Sequence, residues 1–196
     1  MLKYLFKHHF FAVMFLIINT LNDIIPLNRR DIMNDRIDKQ NYYLDIAETV
    51  ASRATCLRKK YGSVIVNHDQ IIATGYCGAP RGRINCCDLG YCTKKKLLPD
   101  QRHSGYDACR SVHSEQNAII SASREEMIGA TLYLVGYRTE NHDYEEGAAP
   151  CLMCRKLIIN AGIEKVYVRV NKTEYRIFDV NDWIKNDELL NGQLQY

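Results

Sequence analysis

Two short clusters of side chains in this 196-residue chain could together hold a metal ion and move protons beside it. His113 lies two residues before Glu115, and Cys151 lies three residues before Cys154. An imidazole and two thiolates are zinc ligands, and three protein ligands leave the fourth position open for water, as in catalytic zinc sites. Zinc lowers the pKa of such a water to about 7, and a nearby carboxylate can take its proton. These residue types therefore predict metal-assisted hydrolysis.

Each cluster lies at the predicted start of a helix. Apolar spacing predicts one helix over residues 114–123 and another from Cys151 to Ala161, which Gly162 closes. Pro150 is favourable directly before a helix because its missing N–H group would go unused there. Side chains three residues apart point to the same side of a helix, and a helix N-terminus favours thiolate over thiol. Two helix starts can therefore bring the predicted ligands to one metal.

The rest of the chain predicts a three-layer α/β/α fold. Helical spacing of apolar residues over 39–57 predicts a first helix with Asp38 as its N-cap, and a β-hairpin follows over 63–74. Further strands are predicted over residues 131–135, 166–170 and 175–180, with a short helix near Trp183. This order implies a mixed central sheet of about five strands with helices on both faces.

Two segments do not follow this pattern. Residues 75–111 are rich in glycine, cysteine and charged residues, and a structureless stretch of that length inside a compact domain is usually functional or fastened internally. Residues 137–149 are polar and are predicted to form an exposed excursion.

The charge balance favours a small substrate over a nucleic acid polymer. The chain has 26 Lys and Arg against 23 Asp and Glu, a net charge of +3, whereas a protein that grips nucleic acid usually carries a concentrated basic face. Basic runs at residues 58–60 and 94–96 are interpreted as solvated surface. The sequence contains no apolar run of about 20 residues, which argues against a membrane partner.

Residues 1–32 differ from the rest of the chain. The apolar run Phe10–Ile18 is too short for a membrane span, and no small-residue cleavage pattern follows it. The arginine pair at residues 29–30 can be encoded as a bacterial ribosome-binding sequence just before Met33. We expect residues 1–32 to be an untranslated leader, with a weak signal-like segment as the alternative, and residues 33–196 to be the folded domain.

The cysteine content fits a reducing compartment. The chain has eight cysteines, about 4% of its residues, which is below the density of disulfide scaffolds. Without a translated leader the protein is expected to be cytoplasmic, where thiols stay reduced. The cysteines are then better candidates for metal ligands or small buried residues than for disulfides.

The two clusters are specific only in combination. H-x-E alone is common, and C-x-x-C alone could be half of a structural zinc site or a redox pair. H-x-E followed by P-C-x-x-C is typical of zinc nucleobase deaminases, in which zinc activates water and the glutamate moves protons.

The residues around the two clusters resemble one particular family of zinc deaminases. Residues 113–119 and 151–163 resemble deoxycytidylate (dCMP) deaminases, and residues 75–80 resemble the glycine-rich substrate loop of that family. The similarity extends over residues 34–185. It implies a cytidine deaminase-like fold and a zinc-dependent hydrolysis of a C–N bond that converts dCMP to dUMP and ammonia. It also implies a homo-oligomer with dCTP and dTTP as effectors.

The resemblance assigns roles to particular residues. It implies His113, Cys151 and Cys154 as zinc ligands and Glu115 as the proton carrier. Candidate substrate contacts are Cys77, Arg81 and Arg110, with Arg83 beside them; a monophosphate needs such a cation near the pocket mouth.

The chain departs from the family pattern at three places. Cys77 stands where an asparagine usually contacts the substrate, and a thiol cannot replace its amide hydrogen bond. Ser114 replaces a usual alanine. Residues 137–149 lengthen the connection before Pro150, and a lid or a subunit contact is the expected role.

The remaining cysteines predict a second, structural zinc. Many members of the family carry cysteines at the positions of Cys56, Cys86, Cys92 and Cys109, and four thiolates suit a closed tetrahedral site. His103 and Cys87 are candidate substitutes, and four unrelated buried thiols are the alternative.

Other functions stay open from the sequence. One is deamination of another cytosine nucleoside or nucleotide, or of adenosine in tRNA, which the charge balance disfavours. Another is a non-catalytic zinc module of a competence (DNA-uptake) operon, because bacterial relatives include a protein encoded in such an operon. Glu115 argues against the module, since a structural zinc site has no use for it.

Overall fold

The computed structural model describes residues 36–98, 108–187 and 190. Residues 1–32, predicted above to be an untranslated leader, lie outside these residues, as does His103. In the part of the chain that is described, no helix combines the length and the apolar character needed to cross a membrane.

The described residues contain helices and strands in alternation. Helices α1 to α7 span, in chain order, Lys39–Ala51, Cys86–Leu89, Thr93–Leu97, Ser114–Ile119, Arg124–Met127, Leu152–Ala161 and Val180–Lys185. Strands β1 to β5 span Lys59–Asn67, Gln70–Tyr76, Thr131–Arg138, Lys165–Arg169 and Tyr175–Asp179.

The strands form one mixed sheet in the order β2-β1-β3-β4-β5. Antiparallel pairs join β1 to β2, β1 to β3 and β4 to β5, whereas β3 and β4 are parallel. A parallel pair needs a crossover connection, which contains α6. The predicted mixed sheet of about five strands is confirmed.

Helices cover both faces of the sheet because successive strand side chains point to opposite sides. On one face α1 packs against a cluster that includes Val64, Tyr133 and Val135. On the other face α4 and α6 contribute to a cluster that includes Ile65 and Leu134. The three-layer α/β/α prediction is therefore confirmed.

The helix boundaries differ from the predicted ones at their C-terminal ends. The first helix begins after the Asp38 cap as predicted but stops at Ala51, because the chain then turns and the Thr55 N–H group bonds to the Cys77 carbonyl. The helix predicted to reach residue 123 stops at Ile119, and Ser123 caps the separate helix α5. Apolar spacing continued across both turns and did not reveal them.

The prediction of an exposed excursion over residues 137–149 was partly wrong. Strand β3 extends to Arg138, and Tyr137 is buried and pairs with Tyr144 in an isolated bridge. Ala148 is buried in the core, whereas residues 140–143 and 146–147 are exposed. The tyrosine pair holds the segment against the sheet, although most of its residues are polar.

Candidate active site

The starts of α4 and α6 bring the predicted metal ligands together. His113 is the N-cap of α4 and Cys151 is the N-cap of α6, and the two helices contact each other. The Nδ1 atom of His113 lies 3.4 Å from the Sγ atoms of both Cys151 and Cys154. These three residues have ligand atoms within 4.8 Å of one another, so they could hold one metal ion.

The geometry of this cluster fits zinc. A tetrahedral zinc with ordinary Zn–S and Zn–N bonds separates sulfur from nitrogen by about 3.6 Å, and both observed separations are 3.4 Å. One imidazole and two thiols are a zinc donor set, with a fourth position left for water. The residues present therefore suit a catalytic site better than a closed structural one.

The electrostatics of the cluster favour one thiolate, on Cys151, whereas the hydrogen bond with Cys151 and burial raise the pKa of the Cys154 thiol. The hydrogen bond with Cys154, and then that with His113, lowers the pKa of the Cys151 thiol to about 4. The hydrogen bond to Cys151 raises the pKa of His113. A thiolate is therefore available to a metal at neutral pH.

Glu115 is buried beside the cluster. It is the second residue of α4 and only 5% exposed, and burial raises the pKa of its carboxyl group. Its Oε2 atom accepts a hydrogen bond from the Ser114 hydroxyl at 3.0 Å. A carboxyl group whose pKa is raised by burial binds a proton more readily than an exposed one, which suits a group that takes up and gives back protons.

A glycine lets α4 approach the sheet closely enough to place these residues. A Cβ atom on Gly75 in β2 would lie 2.2 Å from the Ser114 carbonyl oxygen and 2.3 Å from the Ala118 nitrogen. Any larger residue would push the helix, and with it His113 and Glu115, away from the sheet.

A cavity of about 260 Å³ opens onto the cluster. Its walls include His113, Glu115 and Cys151, together with Tyr61 and Ala149. The remaining lining residues are Cys56, Arg58, Lys59, Cys77, Lys94, Cys109, Ser111 and Ser114. Glu115 and two of the three grouped ligands, His113 and Cys151, therefore line the same cavity as cationic side chains.

The candidate substrate contacts have different positions relative to this cavity. Cys77 lines it, but the thiol is 6% exposed and its sulfur accepts a hydrogen bond from the Tyr61 N–H group at 3.3 Å. Arg81 is exposed and does not line the cavity. The Arg110 guanidinium bonds to the Ile84 carbonyl and is also absent from the lining.

The cations that do line the cavity come from the two basic runs interpreted above as solvated surface. Arg58 directly precedes β1, Lys59 is the first residue of β1, and Lys94 lies in α3. Arg58 is exposed and Lys59 and Lys94 are partly exposed, so these residues are solvated as predicted and also line the cavity. The runs themselves were a visible signal, but nothing in their spacing connected them to His113.

The second zinc site is not seen among the described residues. No three of the sulfurs of Cys56, Cys86, Cys92 and Cys109 form a group within 4.8 Å. Cys56 and Cys109 line the cavity, whereas Cys86 lies in α2 and Cys92 caps α3. Cys87 is exposed on α2, and His103 lies outside the described residues.

The fold and the metal cluster together define a class, the zinc-dependent nucleobase deaminases. Residues 37–170 match the family described as the cytidine and deoxycytidylate deaminase zinc-binding region, and the chain belongs to this family. The predicted family and its zinc cofactor are confirmed.

Two proteins named deoxycytidylate deaminase are similar to the chain. The protein of Mycobacterium phage D29 is 37% identical over 133 residues, which cover 67% of this chain and 94% of the phage protein. The protein of Schizosaccharomyces pombe is 31% identical over 146 residues, which cover 71% of this chain but 40% of the yeast protein.

A solved structure of dCMP deaminase from the cyanophage S-TIM5, in complex with dCMP and dUMP, is also similar. It is 27% identical with a TM-score of 0.47, and the match covers 68% of this chain and 84% of that chain.

Proposed function

We propose that this protein hydrolyses dCMP to dUMP and ammonia. One observation carries the proposal: a buried carboxylate, Glu115, lines one cavity together with His113 and Cys151, two of the three grouped zinc ligands. The similar proteins of Mycobacterium phage D29 and Schizosaccharomyces pombe, both named deoxycytidylate deaminase, support the choice of substrate.

His113, Cys151 and Cys154 would hold the zinc. When bound, the metal would supply a water whose pKa is lowered to about 7. Glu115 is placed to take the proton of the water that would add to C4 of the cytosine ring, to pass that proton to N3, and to protonate the exocyclic amine as its bond to C4 breaks.

Glu115 is proposed to carry the protons at each stage. The carboxyl group is only 5% exposed, and burial raises its pKa, which favours the protonated form that exists between two transfers. The last transfer delivers a proton to the departing amine, which leaves as ammonia. The sum is one dCMP and one water giving one dUMP and one ammonia.

The cationic wall is proposed to recognise the 5′-phosphate. Arg58, Lys59 and Lys94 line the same cavity as Glu115. The Lys59 Nζ atom lies 2.7 Å from a carboxylate oxygen of Glu145, which partly neutralises its charge. Arg58, Lys59 and Lys94 are the candidates for a charge-assisted bond to phosphate.

A substrate panel tests the proposed reaction. Purified zinc-loaded protein is assayed for ammonia release from dCMP, dCTP, deoxycytidine and cytidine, with and without dCTP or dTTP as effectors. Turnover of dCMP in preference to the others is expected. Preference for another cytosine compound would correct the substrate, and activity on none would favour a non-catalytic zinc module.

Substitution of one cationic side chain tests the proposed contact with the 5′-phosphate. Lys94→Ala is expected to raise KM for dCMP about tenfold, since a charge-assisted hydrogen bond is lost. The Michaelis constant for deoxycytidine, which has no phosphate, should not change. Lys95→Ala is the matched control, because Lys95 is exposed in the same helix and does not line the cavity. An equal effect of both substitutions would contradict the assignment.

We also propose that the protein forms a homo-oligomer through α6. Met153 and Leu157, four residues apart on one side of this helix, are 41% and 37% exposed, and Ile120 after α4 is 72% exposed. Light scattering of the wild type and of Leu157→Asp tests this. A larger mass for the wild type than for the variant supports the surface, and a wild-type monomer contradicts it.

A further inference from the structure

A chain of two buried hydroxyl groups connects the sheet to Glu115. Ser63 in β1 donates a hydrogen bond to Ser114 Oγ at 2.8 Å, and Ser114, the first residue of α4, donates to Glu115 Oε2 at 3.0 Å. Both serines are 0% exposed. Bulk water therefore does not compete for either bond.

We propose that Ser63 and Ser114 are positioning residues that set the orientation of the Glu115 carboxylate. The inference rests on the proposed role of Glu115 as proton carrier. Neither serine needs to touch the substrate, because each acts through the next group in the chain.

The direction of the two hydrogen bonds supports this role. Each hydroxyl group has one proton to donate. Because Ser63 donates to the oxygen of Ser114, the proton of Ser114 is left for the Glu115 carboxylate. Consecutive hydrogen bonds also polarise one another, which strengthens the bond to the carboxylate in a buried setting.

The bond to Oε2 distinguishes the two oxygens of Glu115. With Oε2 held by Ser114, rotation of the carboxylate breaks a hydrogen bond. A proton carrier must be held near one geometry, since misplacement of a reacting group is costly to the rate.

The sheet holds Ser63, the first of the two hydroxyl groups, in a fixed position. Ser63 lies opposite Gly75 in the pairing of β1 with β2 and opposite Leu134 in the pairing of β1 with β3. Strand β1 is therefore held on both sides, and Gly75 is the residue that lets Ser114 come down to it. The hydroxyl chain transmits this fixed position to Glu115.

Removal of the hydroxyl groups tests the inference. Ser114→Ala is expected to lower kcat for dCMP about tenfold with KM unchanged, since a hydrogen bond to a charged group is lost. Ser63→Ala should lower kcat about threefold, because only the polarisation and the alignment of Ser114 are lost. The double variant should be no slower than Ser114→Ala alone, as Ser63 acts only through Ser114.

Controls separate positioning from a structural role. Ser121→Ala removes a hydroxyl that bonds to the Asn117 carbonyl within the same region of the chain and has no bond to Glu115, so its kcat should match the wild type. Zinc content should be equal in all variants. Ser114→Thr, which keeps the hydroxyl, should recover most of the lost turnover.

A binding measurement provides a readout independent of turnover. A reduced pyrimidine nucleotide with a hydroxyl group at C4 mimics the tetrahedral adduct and presents that hydroxyl to Glu115. Ser114→Ala should bind it about tenfold more weakly and bind dUMP as the wild type does.

The outcomes distinguish the inference from the proposed function. A wild type without turnover of any cytosine substrate contradicts the proposed function and this inference with it. An active wild type together with unchanged kcat and unchanged analogue binding in Ser114→Ala contradicts the inference alone. Additive losses in the double variant would show that Ser63 does not act through Ser114.

Discussion

At the scale of single residues, burial has different consequences for Glu115 and Cys77, which line the same cavity. Glu115 is buried beside three polar groups that could hold a metal, and its raised pKa suits proton transfer. Burial raises the pKa of Cys77 to about 12, so its thiol stays neutral at neutral pH. The first is suited to catalysis, whereas the second is suited to packing.

Replacement of the Glu115 carboxylate by an amide separates catalysis from metal binding. Glu115→Gln is expected to lower kcat for dCMP by a factor of about 10² to 10⁴, because an amide cannot carry the proton. Zinc content should stay at the wild-type value, since the three proposed ligands are unchanged. Steady-state kinetics and metal analysis of the same preparation measure both. Undiminished turnover would remove Glu115 from the mechanism.

Cys77 is expected to affect stability more than substrate binding. Its sulfur accepts from the Tyr61 N–H group, and its thiol reaches the Lys59 carbonyl at 3.6 Å. Cys77→Ala should lower the free energy of unfolding by about 1–2 kcal/mol through lost packing and a weakened bond to the strand. KM for dCMP should not change.

Urea denaturation and kinetics of the Cys77 variant measure these two effects, with Cys87→Ala as the control because Cys87 is exposed. A rise in KM for dCMP without loss of stability would instead identify Cys77 as a substrate contact, the role implied by its place in the glycine-rich loop.

The grouping of the three possible zinc ligands and the buried carboxylate could be predicted from the sequence because these residues lie within two short segments. His113 and Glu115 share one helix start, and Cys151 and Cys154 share another. Ser63 and Lys94 could not be predicted, since each reaches the site from a distant segment through tertiary folding. Their side-chain types are ordinary surface types, and no spacing links them to the motif.

At the scale of elements, the site depends on how closely two helices approach the sheet. The pattern of apolar residues predicted α4, α6 and the strands beneath them, because each buries one face. It did not predict the folding of the segment between β2 and α4, whose two short helices have no buried residues. Tertiary contacts rather than periodicity place Lys94, Cys109 and Ser111 of that segment on the cavity wall.

A methyl group at Gly75 tests the close approach of α4. Gly75→Ala would place a Cβ atom 2.2 Å from a backbone oxygen of the helix, so the helix must move. The expected loss of stability is about 1–3 kcal/mol, with weaker zinc binding because His113 moves with α4.

Calorimetry and zinc titration measure the two effects. Thr74→Ala is the matched control, because Thr74 is the neighbouring residue in β2 and its side chain is exposed. Wild-type zinc affinity in Gly75→Ala would show that the position of His113 does not depend on this contact.

At the scale of the whole molecule, zinc would join two helices that follow different strands. His113 precedes α4, which packs against β2, and Cys151 and Cys154 belong to the start of α6, which connects β3 to β4. A ligand that binds only the folded state stabilises it by mass action. Removal of zinc should therefore weaken the whole domain and not the site alone.

Chelation and metal analysis test the stabilisation of the domain by zinc. Chelation is expected to lower the Tm by at least about 8 °C, from a loss of about 4 kcal/mol when free zinc exceeds its Kd a thousandfold. Cys151→Ser should lose the metal, whereas Cys87→Ser should keep it, because Cys87 is exposed on α2 and outside the cluster.

The described residues group three ligands at one place, so about one zinc per chain is expected. Two zinc ions in the wild type, with one retained by Cys151→Ser, would mean that Cys56, Cys86, Cys92 and Cys109 or their substitutes form a site after all.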